Sequence, residues 1–517
     1  MSHWFNTAGP CQADIHYMLP SMMRLPNLER LIDQRNYFVI HAPRQTGKTT
    51  AMLGLAKQLT ENGRYTALMV SAEVGAPFSD DPGAAEVAIL DSWYSRAQVY
   101  LPPDLCPPEN WNEAQPGRRI QGALQRWAEF SSRPIVLFID EIDSLQDEAL
   151  ISMLRQLRDG YALRPNNFPQ SIGLIGLRDV RDYKVAAGGS DRLNTASPFN
   201  IKVRSLTLRD FNAAEVEELY QQHTQETGQV FTPEAIATAF DLTQGQPWLV
   251  NALAKEIVEE IVTDTAIAIT PAHIHQAKEI LITRRDTHLD SLAERLREPR
   301  IQAIIEPMLA GLELGNIPND DIQFVIDLGL CKMHPQGGLT IANPIYREVL
   351  PRVLTFTSMA SLPQIQPTWL TQSGELNLDA LLEAFMRFWR QHGEPLLGTT
   401  GYREIAPHIV LMAFLHRVIN GGGTLEREYA IGRDRMDLCL KYGGVTLGIE
   451  LKTWRDKTRD PEAEGLQQLD SYLDRLEENF GWLFVFDRRS NAPPFTERLG
   501  NKTATTESGR TVLVIRA

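Results

Sequence analysis

The fold of this chain is decided by the stretch His41-Ala42-Pro43-Arg44-Gln45-Thr46-Gly47-Lys48-Thr49-Thr50. It follows the apolar run Tyr37-Phe38-Val39-Ile40 and precedes residues 51–57, which have the composition of a helix. A strand, a glycine-containing loop and a helix in this order place backbone N–H groups around a bound phosphate. Lys48 is expected to reach the β- and γ-phosphate oxygens, and the Thr49 hydroxyl to bind Mg²⁺. Residues 42–50 therefore predict a nucleotide site.

One position departs from the usual form of such a loop. Ala42 stands where the pattern commonly has its first glycine. Alanine still allows close approach of the backbone, but it tolerates a positive φ less well than glycine does. The alternative interpretation is a Gly-Lys-Thr sequence at a helix start that binds no nucleotide.

Two further apolar runs end in charged residues. Residues 135–139 predict a buried parallel strand followed directly by Asp140 and Glu141. There Asp140 suits a Mg²⁺ carboxylate and Glu141 a water-activating base, although a surface acidic turn has the same sequence. Residues 171–177 predict another strand, followed by Arg178. Arg178 is a candidate sensor of the γ-phosphate; a helix cap or a solvated charge is the alternative.

Composition places the chain among ordinary multidomain globular proteins. It has 517 residues, 43% hydrophobic and 22% charged, which suits two to four domains. No apolar run approaches the roughly 18 residues of a membrane span, and the N-terminus lacks the pattern of a signal peptide. The four cysteines are far apart, so we expect reduced thiols and a cytoplasmic location. A net charge of −14 argues against a broad nucleic-acid-coating surface but leaves room for one local basic groove.

The first 356 residues divide into three parts. Residues 1–205 alternate strand and helix signals, predicting a doubly wound parallel sheet with an irregular insertion at 75–115. Residues 206–295 predict a helical lid that is interrupted at Gly245-Gln246-Pro247. Residues 296–356 predict a helix ended by glycine and then a hairpin, as in a winged helix. Three aspartates on that helix favour a protein or intramolecular contact over DNA.

Several motifs in this part follow one another in a characteristic order. They are the phosphate loop, Asp140-Glu141, Gly176-Leu177-Arg178-Asp179, Ser197-Pro198-Phe199-Asn200, Gly245-Gln246-Pro247-Trp248 and Asn343-Pro344-Ile345-Tyr346. Together they resemble the AAA-like, STAND-type P-loop ATPases of bacteria over about residues 1–360. The resemblance implies an ATP- and Mg²⁺-dependent switch, in which the lid and winged helix close on the nucleotide and reposition an attached module. It also implies that Pro247 lies near the adenine.

A second set of chemical residues follows a linker at 357–375. Residues 437–452 predict a hairpin that carries Asp437 on one strand and both Glu450 and Lys452 on the next. Glu450 and Lys452 are two residues apart, so they point to the same face. Two carboxylates and a lysine on one face form a Mg²⁺ site suited to phosphodiester hydrolysis. The alternative is an exposed hairpin in which Glu450 and Lys452 form an ordinary ion pair.

The order Asp437, Glu450 and Lys452 resembles the core of PD-(D/E)XK nucleases, over about residues 376–517. Arg435-Met436-Asp437 replaces the Pro-Asp of that family. The resemblance implies an α/β restriction-endonuclease-like domain, an additional acidic residue at Glu404 and a functional glutamine at Gln468. The fold also occurs in inactive binding modules, so activity does not follow from the fold alone.

Charge in this C-terminal part is nearly balanced. Residues 366–517 hold 19 Lys and Arg against 21 Asp and Glu. Six basic residues cluster in sequence around the candidate site: Arg433, Arg435, Lys452, Arg455, Lys457 and Arg459. They are candidates for contacts with nucleic-acid phosphates, and a solvated basic face is the alternative.

The sequence therefore predicts an ATPase fused to a metal-dependent nuclease that acts on nucleic acid, with DNA as the favoured substrate. Such a pairing suggests defence against foreign nucleic acid. One alternative is a signalling ATPase whose C-terminal module only binds DNA or protein. Another is a DNA translocase, which predicts an oligomeric ring; the sequence shows no arginine finger for one. The trigger, a protein partner and the oligomeric state are left open.

Overall fold

The computed structural model describes residues 3–177, 202–284, 287–309, 314–350, 353, 368–371, 373–399, 406–419, 424–428 and 437–517. The chain forms two compact units. The first comprises Met1–His288 and Ile322–Ile345, and the second comprises Leu289–Asp321 and Tyr346–Ala517. The domain boundaries given by the sequence stay predictions.

A five-stranded parallel sheet forms the centre of the first unit. Its strands are β1 (Tyr37–His41), β2 (Thr66–Ser71), β3 (Ile135–Asp140), β4 (Ser171–Gly176) and β5 (Lys202–Thr207). Their spatial order is β2-β3-β4-β1-β5, and all neighbours are parallel. Strands β3 and β4 are buried along their whole length, as their continuous apolar runs predict. This sheet, with the loop after β1, confirms the predicted P-loop ATPase fold.

Helices cover both faces of this sheet. They are α1 (Leu28–Asp33), α2 (Lys48–Glu61), α3 (Pro82–Tyr100), α4 (Arg119–Phe130) and α5 (Asp147–Gly160). Short 3₁₀ turns connect them at Ser21–Arg24, Glu73–Phe78, Pro103–Leu105, Ile142–Ser144 and Tyr161–Leu163. Helices α1 and α2 pack on one face, and α3, α4 and α5 pack on the other, so the core has two layers around the sheet.

The interpretation of residues 75–115 as an irregular insertion is wrong. Helix α3 occupies 19 of these residues and buries Ile89, Leu90 and Trp93 against the sheet. Its start carries an ordinary helix signal, because the Asp81 side chain accepts a hydrogen bond from Ala84 N and Pro82 follows it. The Pro- and Trp-containing residues that suggested irregularity lie mostly after the helix ends.

Four helices follow β5 in the first unit. They are α6 (Ala213–Thr227), α7 (Pro233–Thr243), α8 (Pro247–Glu256), with a π-helical turn at Ile257–Ile261, and α9 (Pro271–Arg284). Asn212 and Glu215 form a capping box at the start of α6. Thr232 caps α7 with Pro233 at its first position. The predicted break at residues 244–246 separates α7 from α8.

Gly245 is required at that break. Its φ is +79°, and a Cβ there would lie 1.8 Å from the carbonyl oxygen of Phe211. We expect Gly245→Ala to lower the free energy of unfolding of the first unit by about 3 kcal/mol or more, because overpacking adds to left-handed strain. Gly228 has the same φ of +79° with no atom near its Cβ position, so Gly228→Ala should cost only about 1 kcal/mol. Urea unfolding of both variants measures the difference, and equal losses would contradict the steric argument.

Further helices and a hairpin precede the C-terminal part. They are α10 (Thr287–Arg295), α11 (Pro299–Leu309), α12 (Asn319–Asp327), β6 (Cys331–Met333), β7 (Leu339–Ile341) and the helical residues 344–350. Strands β6 and β7 pair antiparallel, and Gly329 follows α12 with a φ of +74°. The predicted helix and hairpin are thus present, whereas the winged-helix assignment stays a prediction.

The second unit contains a six-stranded mixed sheet. Its elements are α13 (Leu378–Thr399), α14 (Ala406–Ile419), β8 (Thr424–Glu428), β9 (Asp437–Tyr442), β10 (Val445–Trp454), α15 (Glu462–Leu476), β11 (Phe480–Asp487), α16 (Phe495–Arg498), β12 (Gly500–Thr505) and β13 (Thr511–Arg516). The strand order is β12-β13-β11-β10-β9-β8, and β11 is parallel to both β10 and β13. Helices α13 and α14 pack on one face and α15 on the other. The predicted hairpin of β9 and β10 is confirmed.

Among the helices of the described ranges, none combines the length and the apolar character needed to cross a membrane.

Candidate functional site

The loop between β1 and α2 has the backbone shape of a phosphate cradle. Gln45 and Gly47 take positive φ values of +58° and +84°, and the Thr46 hydroxyl donates to the Pro43 carbonyl at 2.9 Å. Such left-handed residues turn successive N–H groups toward one point, which favours an anion. Ala42 is not among the residues with positive φ, so alanine at this position introduces no strain.

Lys48 lies at the first position of α2 and faces back into the loop. Its Nζ donates to the carbonyls of Ala42 at 2.6 Å and Pro43 at 2.8 Å. An ammonium group has three donors, so one remains for a phosphate oxygen. Burial lowers the pKa of Lys48, while the nearby Asp140 acts in the opposite direction. The lysine therefore holds the loop and still has a donor for a ligand.

Thr49 joins the loop to the end of β3. Its Oγ1 donates to Asp140 Oδ2 at 2.9 Å, although β4 lies between β1 and β3 in the sheet. Asp140 is buried, and burial raises its pKa while the Thr49 hydroxyl lowers it. A hydroxyl and a carboxylate that meet beside a phosphate cradle are the donor set that Mg²⁺ uses in P-loop proteins. The residues present therefore fit a Mg²⁺ ion bound together with nucleotide.

Glu141 follows Asp140 in a left-handed conformation with a φ of +53°. Its backbone N–H donates to Asp140 Oδ1 at 3.0 Å, and its side chain is exposed. Partial desolvation of the carboxyl by the surrounding residues, together with the adjacent charges of Asp140 and Asp143, raises the pKa of Glu141. A strained backbone and a raised pKa at the end of a central strand are typical of a general base.

A buried arginine that the sequence analysis did not identify supports the loop from behind. Arg24 Nη1 donates to the carbonyls of Thr46 at 2.8 Å and Arg209 at 3.1 Å, and its guanidinium lies over the Phe211 ring. A Cβ on Gly47 would lie 3.0 Å from Arg24 Nη2. No sequence pattern marks Arg24, because it occupies the last position of a short 3₁₀ turn.

We expect Arg24→Ala to weaken nucleotide binding about tenfold and to lower the free energy of unfolding by about 2–4 kcal/mol. The reason is that the substitution removes a buried charged donor from two backbone carbonyls. Titration with a fluorescent nucleotide and thermal unfolding give the two quantities. Arg30, exposed on α1, supplies the matched control Arg30→Ala, which should change neither. Equal effects of the two substitutions would contradict a supporting role for Arg24.

The helical part of the first unit also reaches the loop. Gln246 Nε2 lies 3.5 Å from the Gln45 carbonyl, and Gln246 caps the start of α8, where Pro247 is buried. A Cβ on Gly329 would lie 2.7 Å from Pro43 atoms. The residues after β5 and the residues after α12 therefore contact the same loop.

In the second unit, the site predicted on β10 contains a chain of four polar side chains. Glu450 is fully buried, and Lys452 Nζ lies 3.3 Å from Glu450 Oε1. The same Nζ lies 3.4 Å from Glu464 Oε1, to which Gln468 Nε2 donates at 2.6 Å. The Glu464 side chain is 60% exposed and that of Lys452 only 12%. The structure thus brings Glu450, Lys452 and Gln468 together, and adds Glu464, which the sequence analysis did not identify.

Three buried oxygens in this group lack a hydrogen-bond donor among the described residues. They are Glu450 Oε1, Glu450 Oε2 and Gln468 Oε1. Buried carboxylate and amide oxygens without donors are costly unless a cation or water satisfies them. Oxygen ligands are those that Mg²⁺ prefers. Lys452 Nζ supplies one positive charge near Glu450 Oε1, and the three oxygens also have the chemistry of ligands for a divalent cation.

Asp437 begins β9, next to β10. The antiparallel register pairs Ile449 with Leu438, so its continuation by one residue sets the backbone of Asp437 across from that of Glu450. The side chain of Asp437 lies outside the described part of the chain. Within the described part, no group of three or more His, Cys, Asp and Glu side chains is close enough to hold a metal.

Close packing of α15 on the sheet creates this group. Gly448 on β10 and Gly481 on β11 face each other in the register, and a Cβ on either would contact Leu473 of α15. On the helix, a Cβ on Gly465 would lie 2.6 Å from Leu483 and 3.3 Å from Lys452 Cγ. The glycines let the helix approach until Glu464 and Gln468 reach Lys452.

Four residues named by the sequence analysis cannot be placed. Arg178 and Glu404 lie outside the described residues, as do Arg433 and Arg435. The role of Arg178 therefore stays a prediction from the sequence. The residue before it, Leu177, donates from its backbone N to Asp143 Oδ2 at 3.3 Å.

Comparisons with known proteins give similarity in fold at low identity. No protein-family model and no curated protein matches the chain. A Walker-type ATPase of Pyrococcus abyssi is 13% identical with a TM-score of 0.47, over 67% of this chain and 99% of that one. The RuvB Holliday junction branch migration motor of Thermotoga maritima is 14% identical with a TM-score of 0.33, over 63% and 92%. Cdc6p from Pyrobaculum aerophilum is 10% identical with a TM-score of 0.34, over 80% and 97%.

Proposed function

We propose that this protein is an ATP-hydrolysing switch that controls a C-terminal, metal-dependent nuclease. The observation that carries the ATPase part is the contact of Thr49 with Asp140 beside Lys48. The observation that carries the nuclease part is the buried Glu450 carboxylate without hydrogen-bond donors beside Lys452.

In the ATPase site each residue has one task. The N–H groups of residues 44–48 and the remaining donor of Lys48 bind the phosphates. Thr49 and Asp140 would hold Mg²⁺, which would neutralise charge on the β- and γ-phosphates. Glu141 accepts a proton from the attacking water. Pro247 and Arg178 are proposed neighbours of the adenine and the γ-phosphate.

In the nuclease site, Asp437, Glu450 and the Gln468 oxygen are the proposed ligands of Mg²⁺. The bound cation would supply charge neutralisation at the scissile phosphate and a more acidic water. Lys452 orients that water through its ammonium N–H groups. Glu464 holds Lys452 and Gln468 in position, and Glu404 is the proposed additional acidic residue.

The proposed substrate is nucleic acid, with DNA favoured, and the proposed setting is defence against foreign DNA. None of the four cysteines, all of which lie in the described part of the chain, forms a disulfide, and this suits the reducing conditions of the proposed cytoplasmic location. An unidentified trigger or protein partner would set the nucleotide state, and oligomerisation is compatible with this scheme.

Cleavage assays on the full-length protein test the proposal. Plasmid and single-stranded DNA are incubated with Mg²⁺ or Mn²⁺, with and without ATP, using wild type, Lys48→Ala and Lys452→Ala. We expect Lys452→Ala to abolish cleavage and Lys48→Ala to remove its dependence on ATP. Cleavage that is identical in all three proteins would refute the proposal.

A second candidate is a signalling ATPase whose C-terminal unit only binds nucleic acid or protein. The ion pairs of Lys452 with Glu450 and Glu464 favour it, because they offset the buried carboxylate charge without a metal. Nucleic-acid binding without cleavage under every metal and nucleotide condition would select this function.

A further inference from the structure

Two loops leave the second sheet side by side next to the Glu450–Lys452 pair. Strand β10 ends at Trp454 and its parallel neighbour β11 ends at Asp487, and these two residues are partners in the register. Residues 455–461 and 488–494 therefore start from the same edge of the sheet. We call these two loops together the β10–β11 edge.

Trp454 connects the two loops. Its carbonyl accepts a hydrogen bond from Arg488 N at 2.8 Å, and its Nε1 donates to the Thr458 carbonyl at 3.3 Å. The Arg489 guanidinium lies 3.4 Å from the centre of the indole ring, and Asp487 holds it with two hydrogen bonds of 2.9 and 2.6 Å. Cation–π stacking and a bidentate ion pair fix both groups.

A further contact ties the loops farther from the sheet. Ser490 donates from its backbone N and its hydroxyl to Asp456 Oδ1, at 3.0 and 3.1 Å. The two loops thus share several hydrogen bonds and are preorganised rather than independent. A preorganised surface loses less entropy when it binds a ligand.

The acidic residues within and directly beside the β10–β11 edge already have partners. Asp460 and Glu462 both pair with Arg516, and Glu462 also pairs with Lys502 at 2.7 Å. Asp456 is held by Ser490, and Asp487 by Arg489.

Three cations of the edge have no such partner among the described residues. Lys457, Arg459 and Arg488 are exposed, and no side chain in the described part of the chain forms an ion pair or hydrogen bond with theirs. The edge therefore presents three unneutralised positive charges from two loops. Exposed cations fixed on neighbouring loops are suited to a polyanion whose charges recur at short intervals, such as a phosphodiester backbone.

The β10–β11 edge begins close to the Glu450–Lys452 pair. Glu450, Lys452 and Trp454 alternate along β10 and so share one face of the sheet, the face covered by α15. Trp454 follows Lys452 by two residues, a distance of about 7 Å along a strand. A strand of nucleic acid that crosses the edge would reach Lys452 within a few nucleotides.

We propose that Lys457, Arg459 and Arg488 form a phosphate-binding surface that holds a nucleic-acid strand beside the Glu450–Lys452 centre. Arg488 was not identified from the sequence, because it lies 29 or more positions from the other two. The inference that this surface serves cleavage rests on the proposed nuclease function, whereas binding itself does not.

Binding in the absence of metal tests the surface. The full-length protein is titrated in EDTA against a short fluorescent DNA duplex and its single strand, and anisotropy is followed at several salt concentrations. We expect the combined variant Lys457→Ala, Arg459→Ala and Arg488→Ala to bind at least about tenfold more weakly and to lower the salt slope by about 2 to 3. The matched control is Arg387→Ala with Arg390→Ala, two exposed cations of α13 on the opposite face of the sheet, which should bind as wild type does.

Either of two results would overturn the surface: wild type that binds neither probe at low salt, or a triple variant whose affinity and salt slope equal those of wild type or of the control. All three substituted side chains are exposed, so thermal unfolding should be unchanged and confirms that the variant is folded. Loss of binding in the triple variant with no DNA cleavage by wild type would keep the surface and refute the nuclease.

Discussion

Replacement of Glu141 with glutamine is expected to lower kcat for ATP hydrolysis by a factor of about 10² to 10⁴, because the amide cannot accept the proton of the attacking water. The affinity for ATP should change less than about threefold, since Glu141 forms no hydrogen bond with residues 42–50. Steady-state hydrolysis and titration with a nonhydrolysable ATP analogue measure the two quantities separately. Unimpaired hydrolysis by this variant would show that Glu141 is not the general base.

The matched control is Glu148→Gln, an exposed carboxyl in the first turn of α5, which should hydrolyse ATP as wild type does. The pH profile adds an independent test. A general base works only when deprotonated, and partial desolvation raises the pKa of Glu141. Hydrolysis by wild type should therefore fall, as pH is lowered, at a higher pH than for an ordinary glutamate, and the small residual rate of Glu141→Gln should lack this limb.

The second large effect is expected at Glu450. In the absence of nucleotide, wild type should bind Mn²⁺ in a calorimetric titration, and Glu450→Gln should lose this binding together with DNA cleavage. The physical reason is that neither oxygen of this buried carboxylate has a hydrogen-bond donor among the described residues, so both can act as ligands of a divalent cation in addition to the ion pair of Oε1 with Lys452 Nζ at 3.3 Å. A metal at 100 times its Kd would also stabilise the wild-type fold by about 2.7 kcal/mol, and this gain should be absent in the variant.

A control for Glu450 is available in the same unit. Glu383 is exposed on α13, on the opposite face of the sheet, and Glu383→Gln should bind Mn²⁺ as wild type does. Retained Mn²⁺ binding by Glu450→Gln would exclude Glu450 as a ligand. Retained cleavage by the same variant would exclude the whole site.

Elements that depend on local sequence were predicted correctly, whereas the roles of the site residues stay predictions. The strand–loop–helix at 37–61 and the hairpin at 437–454 depend on short-range patterns, namely apolar runs and glycine-containing turns. The contact of Thr49 with Asp140 follows from them, because the carboxyl ends of parallel strands lie at one edge of a sheet.

Residues whose role depends on long-range packing were not predicted. Arg24 supports the loop only because the chain folds back onto Thr46, 22 residues later. Glu464 reaches Lys452 only because Gly448, Gly465 and Gly481 allow α15 to approach the sheet closely. Helix α3 was missed for a different reason. The prolines and tryptophans of residues 75–115 suggested an irregular segment and hid the regular spacing of apolar residues within the helix.

The two hydrogen bonds of Lys48 to the carbonyls of its own loop have a consequence for the nucleotide-free protein. Because two of the three ammonium donors bond to carbonyls of the loop, Lys48 holds the nucleotide-free loop in the shape of the phosphate cradle. Little conformational entropy is then lost when a phosphate arrives, so association should be a single fast step whose rate depends on diffusion rather than on refolding. The nucleotide-free loop is therefore preorganised for binding, and the observed rate of nucleotide association should rise in proportion to the nucleotide concentration.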